Sequence, residues 1–466
     1  MSSAGVARTP ALSLRYRVPD ASAQGERRRR PPCARVPPAR QPSLARIGRE
    51  GSMRKTCFTA TAAAALLACG AAEAAPKDAR MWAAAEAARP AQLALLQQVV
   101  DIDSGTGDAE GGRKVAGVLT PRLQALGMSV ESVPAEAEGL PDNLVARLDG
   151  TGKGRILIIA HMDTVFGPGT VAKRAFRTDA ERAYGPGVGD EKGGVIEALT
   201  ALQLLHDQGF KDFKQVTLLI ETSEERGSPG TQKLISRLLQ DADVELNMEP
   251  GDAPDMLTVW RKSSSTFHIV VKGRAAHAGM APQDGRNAAV ELIHQIQADD
   301  VFPKSGDGLT ANLTVITGGT RANIIPEDAE GQINVRVRDL KQMDEVQAVL
   351  VKNAQTTVIP DTKVTIWREG AFPPLQVNPA TEDLAARAKA IYAGIGLTLA
   401  EGGNGGASES ALAAAAGVPA LDGLGPVGGG FHSDKEYIEL NTVTPRLYML
   451  TKLIQDLGRN PPPRMK

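Results

Sequence analysis

Cysteine is scarce in this sequence and confined to one end of it. Only three cysteines occur among 466 residues, and Cys33, Cys57 and Cys69 all lie in the first 70. The rest of the chain can therefore form neither a disulfide nor a thiolate metal site. Any metal bound there must be held by histidine, aspartate and glutamate side chains.

An excess of charge of either sign is also missing. Lysine and arginine total 53 against 54 aspartates and glutamates, for a formal net charge of -1. Without a basic field the chain is not expected to bind nucleic acid or another polyanion. Its length is too great for one ordinary core and sufficient for two domains, so a two-domain enzyme is the starting expectation.

The first 75 residues do not have the pattern of a folded enzyme. Residues 1–52 are rich in arginine, proline and serine and lack a periodic apolar face. This composition predicts that they do not fold. We interpret them as an over-extended reading frame before a true start at Met53, with a genuine extension or a transit peptide as the alternatives. Residues 53–75 have the layout of a secretory signal peptide: a basic start, an apolar run and small residues before Pro76. They predict a periplasmic or secreted enzyme.

Two other interpretations of the apolar run at 60–68 stay open. It is too short to span a bilayer, so it could instead form a buried alanine-rich helix. Alternatively, Leu66-Leu67-Ala68-Cys69 resembles a lipoprotein cleavage box. Membrane association is expected only in that case, through a lipid on Cys69.

Strands and helices alternate over residues 76–262. Apolar spacing predicts helices at 81–101, 112–126, 193–208 and 230–239, and β-rich runs predict strands at 143–148, 155–160 and 215–221. Leu157, Ile158 and Ile159 are consecutive apolar residues, which is typical of a central strand covered on both faces. This alternation predicts an α/β catalytic domain.

The pattern changes at about residue 263, which predicts an inserted α+β domain over residues 263–371. The catalytic domain then resumes over residues 372–466. The predicted elements of this second half are half-exposed strands at 265–271 and 331–338, helices at 287–299, 343–353, 382–395 and 444–457, and a strand near 418–421.

Polar residues follow the predicted strands at their carboxyl ends. His161 and Asp163 come directly after the strand at 155–160, which is where open α/β sheets place ligands. A neutral His161 can bind a metal while Asp163 fixes its tautomer. Taken alone, this pair fits an ordinary polar strand end better than a metal site.

Two further acidic motifs occur in the same half. Asp190 stands in a glycine-rich loop before a helix, where a carboxylate can bridge two cations. A phosphate loop is excluded because Gly-Lys-Ser/Thr is missing. Glu224 and Glu225 follow the strand at 215–221, and one of two adjacent glutamates can ligate a metal while the other takes a proton from a metal-bound water. An exposed acidic turn is the alternative.

Of the six histidines, His161, His277 and His432 lie at strand ends or in glycine-flanked loops, where function concentrates. The other three, His206, His268 and His294, lie within helices or a strand, and we expect them to serve packing or to face solvent.

Together these motifs resemble the M20 metallopeptidase family, and most closely its glutamate carboxypeptidase-like branch. The likeness covers about residues 85–460 and follows the family's order through the blocks 161–165, 187–194, Glu224-Glu225, Glu249-Pro250, 276–279 and 432–435. It implies a zinc-peptidase-like catalytic domain with a central mixed β-sheet flanked by helices. It also implies that the insert is a ferredoxin-like lid that carries the contact of a homodimer.

The resemblance implies two Zn²⁺ ions per subunit. His161 and Glu249 would hold different ions and Asp190 would bridge both. Glu225 and His432 would complete the two coordination shells.

The resemblance also implies roles in catalysis and substrate binding. Asp163 would orient the ligand His161, and Glu224 would act as the general base and later protonate the leaving amine. His277 of the lid would reach the oxyanion in the partner's active site. Asn323 and Arg336 resemble binders of the substrate carboxylate, for which an arginine fork is suited.

The sequence departs from the family in the loop 405–409. Glu409 stands there where the family usually has a shorter aspartate, which puts the substrate fit at that loop in doubt. The implied activity is removal of a C-terminal amino acid, glutamate first of all, from an N-acyl conjugate such as a folate or from a short peptide. An aminoacylase, desuccinylase or dipeptidase activity stays open.

Two other classes of protein fit less well. A binding protein on an inactive scaffold would have lost a ligand or the base, and all are present. An oxidoreductase would need a dinucleotide fingerprint after the first strand, and residues 185–189 lack that context.

Overall fold

The structure is a computed structural model that describes residues 75–299, 308–370 and 372–465. In these residues the helices are α1 (Ala79–Val100), α2 (Ala109–Ala125), α3 (Lys192–Asp207), α4 (Gln232–Asp241), α5 (Ala288–Ala298), α6 (Leu340–Asn353), α7 (Pro379–Gly394), α8 (Ser410–Ala415) and α9 (Leu440–Arg459). The three cysteines, Met53 and the rest of the predicted signal peptide up to residue 74 lie outside the described residues.

The strands of the described residues are β1 (Ser129–Val133), β2 (Asn143–Asp149), β3 (Arg155–His161), β4 (Arg177–Thr178), β5 (Arg182–Tyr184), β6 (Gln215–Glu221), β7 (Val244–Asn247), β8 (Met256–Arg261), β9 (Ser263–Lys272), β10 (Ala276–His277), β11 (Leu309–Gly318), β12 (Ile324–Ile325), β13 (Asp328–Val337), β14 (Lys363–Glu369), β15 (Ala400–Asn404), β16 (Ala420–Leu421), β17 (Gly428–Gly429) and β18 (Tyr437–Glu439).

The catalytic domain is built on a six-stranded sheet in the order β1-β2-β6-β3-β7-β16. Strand β3 runs parallel to both β6 and β7, whereas β1 and β2 join antiparallel, so the sheet is mixed as expected. The consecutive apolar residues of β3 serve two cores: Ile156 and Ile158 pack in one with α1, α3 and α9, and Leu157 and Ile159 in the other with α4. Burying each such side chain contributes about 1.5–3 kcal/mol.

Helix α3 is fixed against the carboxyl end of β7 by a glycine. A Cβ at Gly194 would collide with the carbonyl oxygen of Met248, so no larger residue permits this close approach. The glycine-rich loop before α3 is thereby held beside the residues that follow β7.

The inserted domain has a four-stranded antiparallel sheet in the order β11-β13-β9-β14, with α5 and α6 on one face. The chain order β9-α5-β11-β13-α6-β14 is ferredoxin-like. Phe267, Ile269 and Val271 of β9 point into a core separate from that of the catalytic domain, and the intervening residues point to the open face. The bounds 263–371 remain a prediction that this separate core supports.

No helix in the described part of the chain is both long and apolar enough to span a bilayer.

Candidate metal centre and catalytic cavity

Three parallel strands deliver polar side chains to one edge of the central sheet. Strand β3 ends at His161, β6 ends three residues before Glu224, and β7 ends two residues before Glu249. Because parallel strands have their carboxyl ends at the same edge, residues from distant parts of the chain meet there.

The side chains at this edge form two groups of donor atoms. In the first group, His161 Nε2 lies 3.6 Å from Glu249 Oε1 and 3.9 Å from Glu224 Oε2. In the second group, His432 Nε2 lies 3.2 Å from Asp190 Oδ2 and 3.2 Å from Glu225 Oε2.

Asp190 lies between the two groups. Its Oδ1 is 3.2 Å from His161 Nε2, while its Oδ2 is 3.2 Å from His432 Nε2. Each carboxylate oxygen therefore faces a different group, which is the arrangement that a bridging ligand needs.

The donor set fits divalent cations. It consists of imidazole nitrogens and carboxylate oxygens, which bind ions such as zinc. Glu225 Oε1 is buried and has no hydrogen-bond partner among the described residues. A buried carboxylate oxygen without a partner is costly, and a cation would satisfy it.

The geometry corrects one expectation, that His161 and Glu249 hold different ions. Their facing atoms are 3.6 Å apart and belong to one donor group. Ligands at about 2.0–2.2 Å from a tetrahedral ion lie at about this separation from one another. The cause is strand order, because β3 and β7 are adjacent and bring both residues to the same place.

Asp163 supports the site in two ways. Its backbone carbonyl lies 3.0 Å from His161 Nδ1 and its Oδ1 lies 3.4 Å from the same nitrogen, which favours a proton on Nδ1 and leaves Nε2 free for a metal. Its carboxylate also accepts hydrogen bonds from the backbone N–H of Glu224 and from Thr106 Oγ1. It therefore positions both His161 and the turn that carries Glu224.

Burial sets the protonation of the glutamates. Burial, together with the negative charges of Glu409 and Glu249, raises the pKa of Glu224 well above its ordinary value. Burial raises the pKa of Glu225 and of Glu249 to about 7. Burial opposes ionisation of Asp190 as well, but hydrogen bonds from the histidines hold its pKa below the ordinary value.

The donor groups open into a cavity of about 710 Å³ between the catalytic residues and the lid sheet. Lid residues on its wall include Thr266, Asn334, Arg336 and Glu369. Arg336 is placed by hydrogen bonds to Asn334 Oδ1 at 3.0 Å and to the backbone carbonyl of Gly405 at 3.1 Å. One substrate-binding residue predicted from the sequence thus lines the same cavity as the candidate metal-binding residues.

Two predicted residues of the lid are not part of this cavity wall. His277 is exposed, and its Nδ1 accepts hydrogen bonds from the backbone N–H groups of Gly279 and Met280. The backbone carbonyl of Asn323 accepts a hydrogen bond from Ala278 at 3.0 Å. His277 and Asn323 therefore belong to one small structural unit, formed by β10 and β12.

Sequence reasoning missed two buried residues that hold the site. Arg261 donates to both oxygens of Asp422 at 2.7 and 2.6 Å and to Glu249 Oε2 at 3.3 Å. Glu436 accepts the backbone N–H groups of Gly187, Gly189 and Asp190 and so fixes the glycine-rich loop. Glu436 is the last residue of the sequence motif around His432, and this position could have indicated it. No nearby sequence feature distinguishes Arg261 from an ordinary arginine.

The departure at Glu409 has a structural explanation. Glu409 is 1% exposed and accepts hydrogen bonds from Ser228 Oγ at 3.1 Å and Asn247 Nδ2 at 3.1 Å. Its longer side chain is buried and does not line the cavity, whereas Gly406 and Ala407 of the same loop do.

The chain combines a mixed α/β domain, two groups of carboxylate and histidine donors, and a ferredoxin-like lid. These features define a class of protein, the metal-dependent hydrolases. The model of Peptidase family M20/M25/M40 matches residues 157–456. Carboxypeptidase G2 of Pseudomonas sp. (strain RS-16) is 35% identical over 410 residues, which cover 87% of this chain and 99% of that protein. The chain belongs to the M20 peptidase family and is a metallopeptidase of that family.

Other relatives agree with this placement. A succinyl-diaminopimelate desuccinylase of Parvibaculum lavamentivorans is 31% identical over 53% of this chain and 66% of that protein. Among solved structures, a tripeptidase from Staphylococcus aureus superposes with a TM-score of 0.63 at 22% identity, over 79% of this chain and 98% of that one. Human carnosine dipeptidase 1 superposes with a TM-score of 0.64 at 16% identity, over 81% and 98%. The structural likenesses show the fold.

Proposed function

We propose that the protein is a di-zinc metallo-carboxypeptidase that hydrolyses the amide bond to a C-terminal amino acid, glutamate first of all, in folate-like N-acyl conjugates or short peptides. The observation that carries this proposal is the sharing of Asp190 by two donor groups, beside Glu224 and in a cavity that Arg336 also lines. The similarity to carboxypeptidase G2 supports a carboxypeptidase. The choice of glutamate rests on the resemblance of the motifs to the glutamate carboxypeptidase-like branch.

The residues present supply what amide hydrolysis needs. Zinc held by His161, Glu249, Asp190, Glu225 and His432 would polarise the scissile carbonyl and lower the pKa of a water. Glu224 takes the proton of the attacking water and later gives it to the leaving amine, and its raised pKa favours that return. The guanidinium of Arg336 holds the carboxylate of the leaving amino acid.

The same proposal includes a homodimer. His277 is exposed and outside the cavity wall of its own chain, so in a dimer it would stabilise the oxyanion in the partner's cavity, with Asn323 beside it on the substrate. The lid, which carries both residues, would form the contact between subunits.

Export completes the proposal. The layout of residues 53–75 supports a signal peptide that delivers the enzyme to the periplasm or the medium. A lipid on Cys69 would be the one reason for membrane association.

The test is glutamate release from an N-acyl-glutamate by the purified protein as isolated, after chelation and after zinc is restored. Release that is lost on chelation and regained with zinc is the expected result. No release from a protein with two bound zinc ions would overturn the carboxypeptidase assignment and favour aminoacylase, desuccinylase or dipeptidase substrates.

A further inference from the structure

The open face of the lid sheet continues out of the catalytic cavity. Thr266 of β9 and Glu369 of β14 both line the cavity and are cross-strand partners. The next cross-strand pair on the same face is His268 and Trp367, two residues further along each strand. Because side chains on one face of a strand recur every second residue, this pair adjoins the cavity at about 7 Å from the pair that lines it.

His268 and Trp367 form a fixed aromatic platform. Their rings stack with centroids 3.7 Å apart and planes inclined by 8°. His268 is only 4% exposed, and Glu330 Oε1 holds its Nδ1 at 2.6 Å. Trp367 is 43% exposed, which is unusual for so large an apolar side chain that is already fixed on one face. The indole thus offers surface to a ligand at little entropic cost.

Carboxylates flank this platform. Glu369 Oε1 lies 3.5 Å from His268 Nε2 and its side chain is 56% exposed, while Glu330 lies on the other side of the same imidazole. An exposed aromatic face attracts a flat ring by stacking, and adjacent carboxylates accept hydrogen bonds from N–H groups on its rim. The matching ligand is a planar aromatic group that carries N–H donors.

We propose that Trp367, with Glu369 beside it, forms a subsite for an extended aromatic acyl group that bears N–H donors, at the end of the substrate opposite the leaving amino acid. This inference rests on the proposed function, because it places the substrate by its carboxylate on Arg336 and by its scissile bond at the metal ligands.

Distance assigns this subsite to the acyl part of the substrate. Arg336 pairs with Ser264, four residues before His268 on β9, and β13 and β14 flank β9 on opposite sides. Strand rise and spacing place the Cα atoms of Arg336 and Trp367 roughly 16 Å apart. A single amino acid held at Arg336 is too short to reach the indole, whereas an acyl group of two linked rings is long enough.

The experiment compares two N-acyl-glutamates, one with an acetyl group and one with a 4-(4-aminobenzamido)benzoyl group, on the full zinc-loaded protein. The quantity compared is kcat/KM for the two-ring substrate divided by kcat/KM for the acetyl substrate. For Trp367→Ala we expect this ratio to fall about 10-fold, mainly because KM for the two-ring substrate rises. Trp367→Phe keeps a ring and should retain most of the ratio. Lys363→Ala, on the same strand and face but four residues away, is the control and should retain all of it.

Two outcomes overturn the subsite: a ratio that Trp367→Ala leaves unchanged, or an equal change in Lys363→Ala. If the wild-type protein cleaves neither substrate, the proposed function fails, and the subsite is then judged by calorimetric binding of the free two-ring acid. Equal affinity of the wild-type protein and Trp367→Ala for that acid would overturn it independently of turnover.

Discussion

Glu224, the general base of the proposed reaction, is buried in the cavity wall and lies close to other carboxylates. Its backbone N–H donates a hydrogen bond to Asp163, which fixes the turn that carries its side chain. Burial and the charges of Glu409 and Glu249 raise its pKa, which favours the protonated form that the leaving amine needs.

Replacing this carboxylate tests its role. Glu224→Ala should retain metal, as measured by atomic absorption, and should lower kcat by about 10²–10⁴-fold, since general acid and base catalysis contributes that much. Glu345→Ala, which removes an exposed glutamate of the lid, is the control. Substantial turnover in Glu224→Ala would show that another group takes the proton.

Arg336 is the residue that we expect to recognise the substrate carboxylate. Arg336→Ala should raise KM about 10-fold or more, because a hydrogen-bonded charge pair contributes about 1.5–3 kcal/mol. Arg336→Lys should recover little of this loss, since an ammonium lacks the two-pronged geometry. A substrate whose terminal carboxylate is converted to an amide is the control and should not distinguish the variants. A similar effect on both substrates would contradict carboxylate recognition.

At the scale of elements, the glycine-rich loop is shaped by a residue far from it in sequence. Glu436 accepts three backbone N–H groups of the loop, including that of Asp190, at 2.9–3.0 Å. These hydrogen bonds fix the backbone at Asp190, the carboxylate that we propose to bridge two ions, independently of a bound metal.

Loss of that anchor should weaken metal binding. We expect Glu436→Ala to lower the affinity for zinc about 10–100-fold, as residues that orient metal ligands commonly do. The measurement is competition with a chromogenic chelator. The control is Asp434→Ala, which removes an exposed carboxylate two residues before Glu436. Unchanged zinc affinity would mean that the glycine-rich loop around Asp190 keeps its conformation without Glu436.

At the scale of the whole molecule, the metal-free protein should be destabilised as pH rises. Burial raises the pKa of Glu225 and Glu249 to about 7, above their ordinary value of 4.5, and neighbouring carboxylates raise the pKa of His432 to about 10. Between about pH 5 and pH 8 the folded chain therefore binds more protons than the unfolded chain. The free energy of unfolding consequently falls as the pH rises. A bound zinc ion would replace those protons.

Calorimetric melting of chelated and zinc-restored protein between about pH 5 and pH 8 tests this linkage. The Tm of the chelated protein should fall with rising pH, and the increase in Tm on adding zinc should grow. A chelated protein whose Tm rises over the same range would contradict the expected sign.

The proposed dimer makes a separate prediction about whole subunits. Glu224→Ala and His277→Ala subunits should each be nearly inactive alone, and His277→Ala should retain its metal. A refolded equal mixture should regain about a quarter of wild-type activity, because half of the dimers would then pair one intact base with one intact histidine. Analytical ultracentrifugation checks the mass of the mixed species. A mixture as inactive as its components would contradict a shared site.

Several features of the protein could be predicted from the sequence because their signals are local. The consecutive apolar residues of β3 indicated a strand covered on both faces, and acidic or histidine residues after each strand indicated the edge where ligands bind. Strand β11 was missed although Leu309, Ala311, Leu313 and Val315 alternate with polar residues; it lies at the edge of the lid sheet, with mostly exposed side chains.

Only the tertiary structure decided which donor atoms lie close together and what supports them. His161 and Glu249 lie close together because β3 and β7 are neighbours in the sheet. The sequence motifs around these two residues do not indicate the strand order. Arg261 reaches Asp422 across 161 positions of the chain, and Trp367 stacks on His268 through the pairing of β14 with β9. The sequence by itself determined the chemistry of the side chains and the periodicity of the elements. Long-range pairing of strands, which depends on the packing of the whole sheet, determined which of those side chains meet.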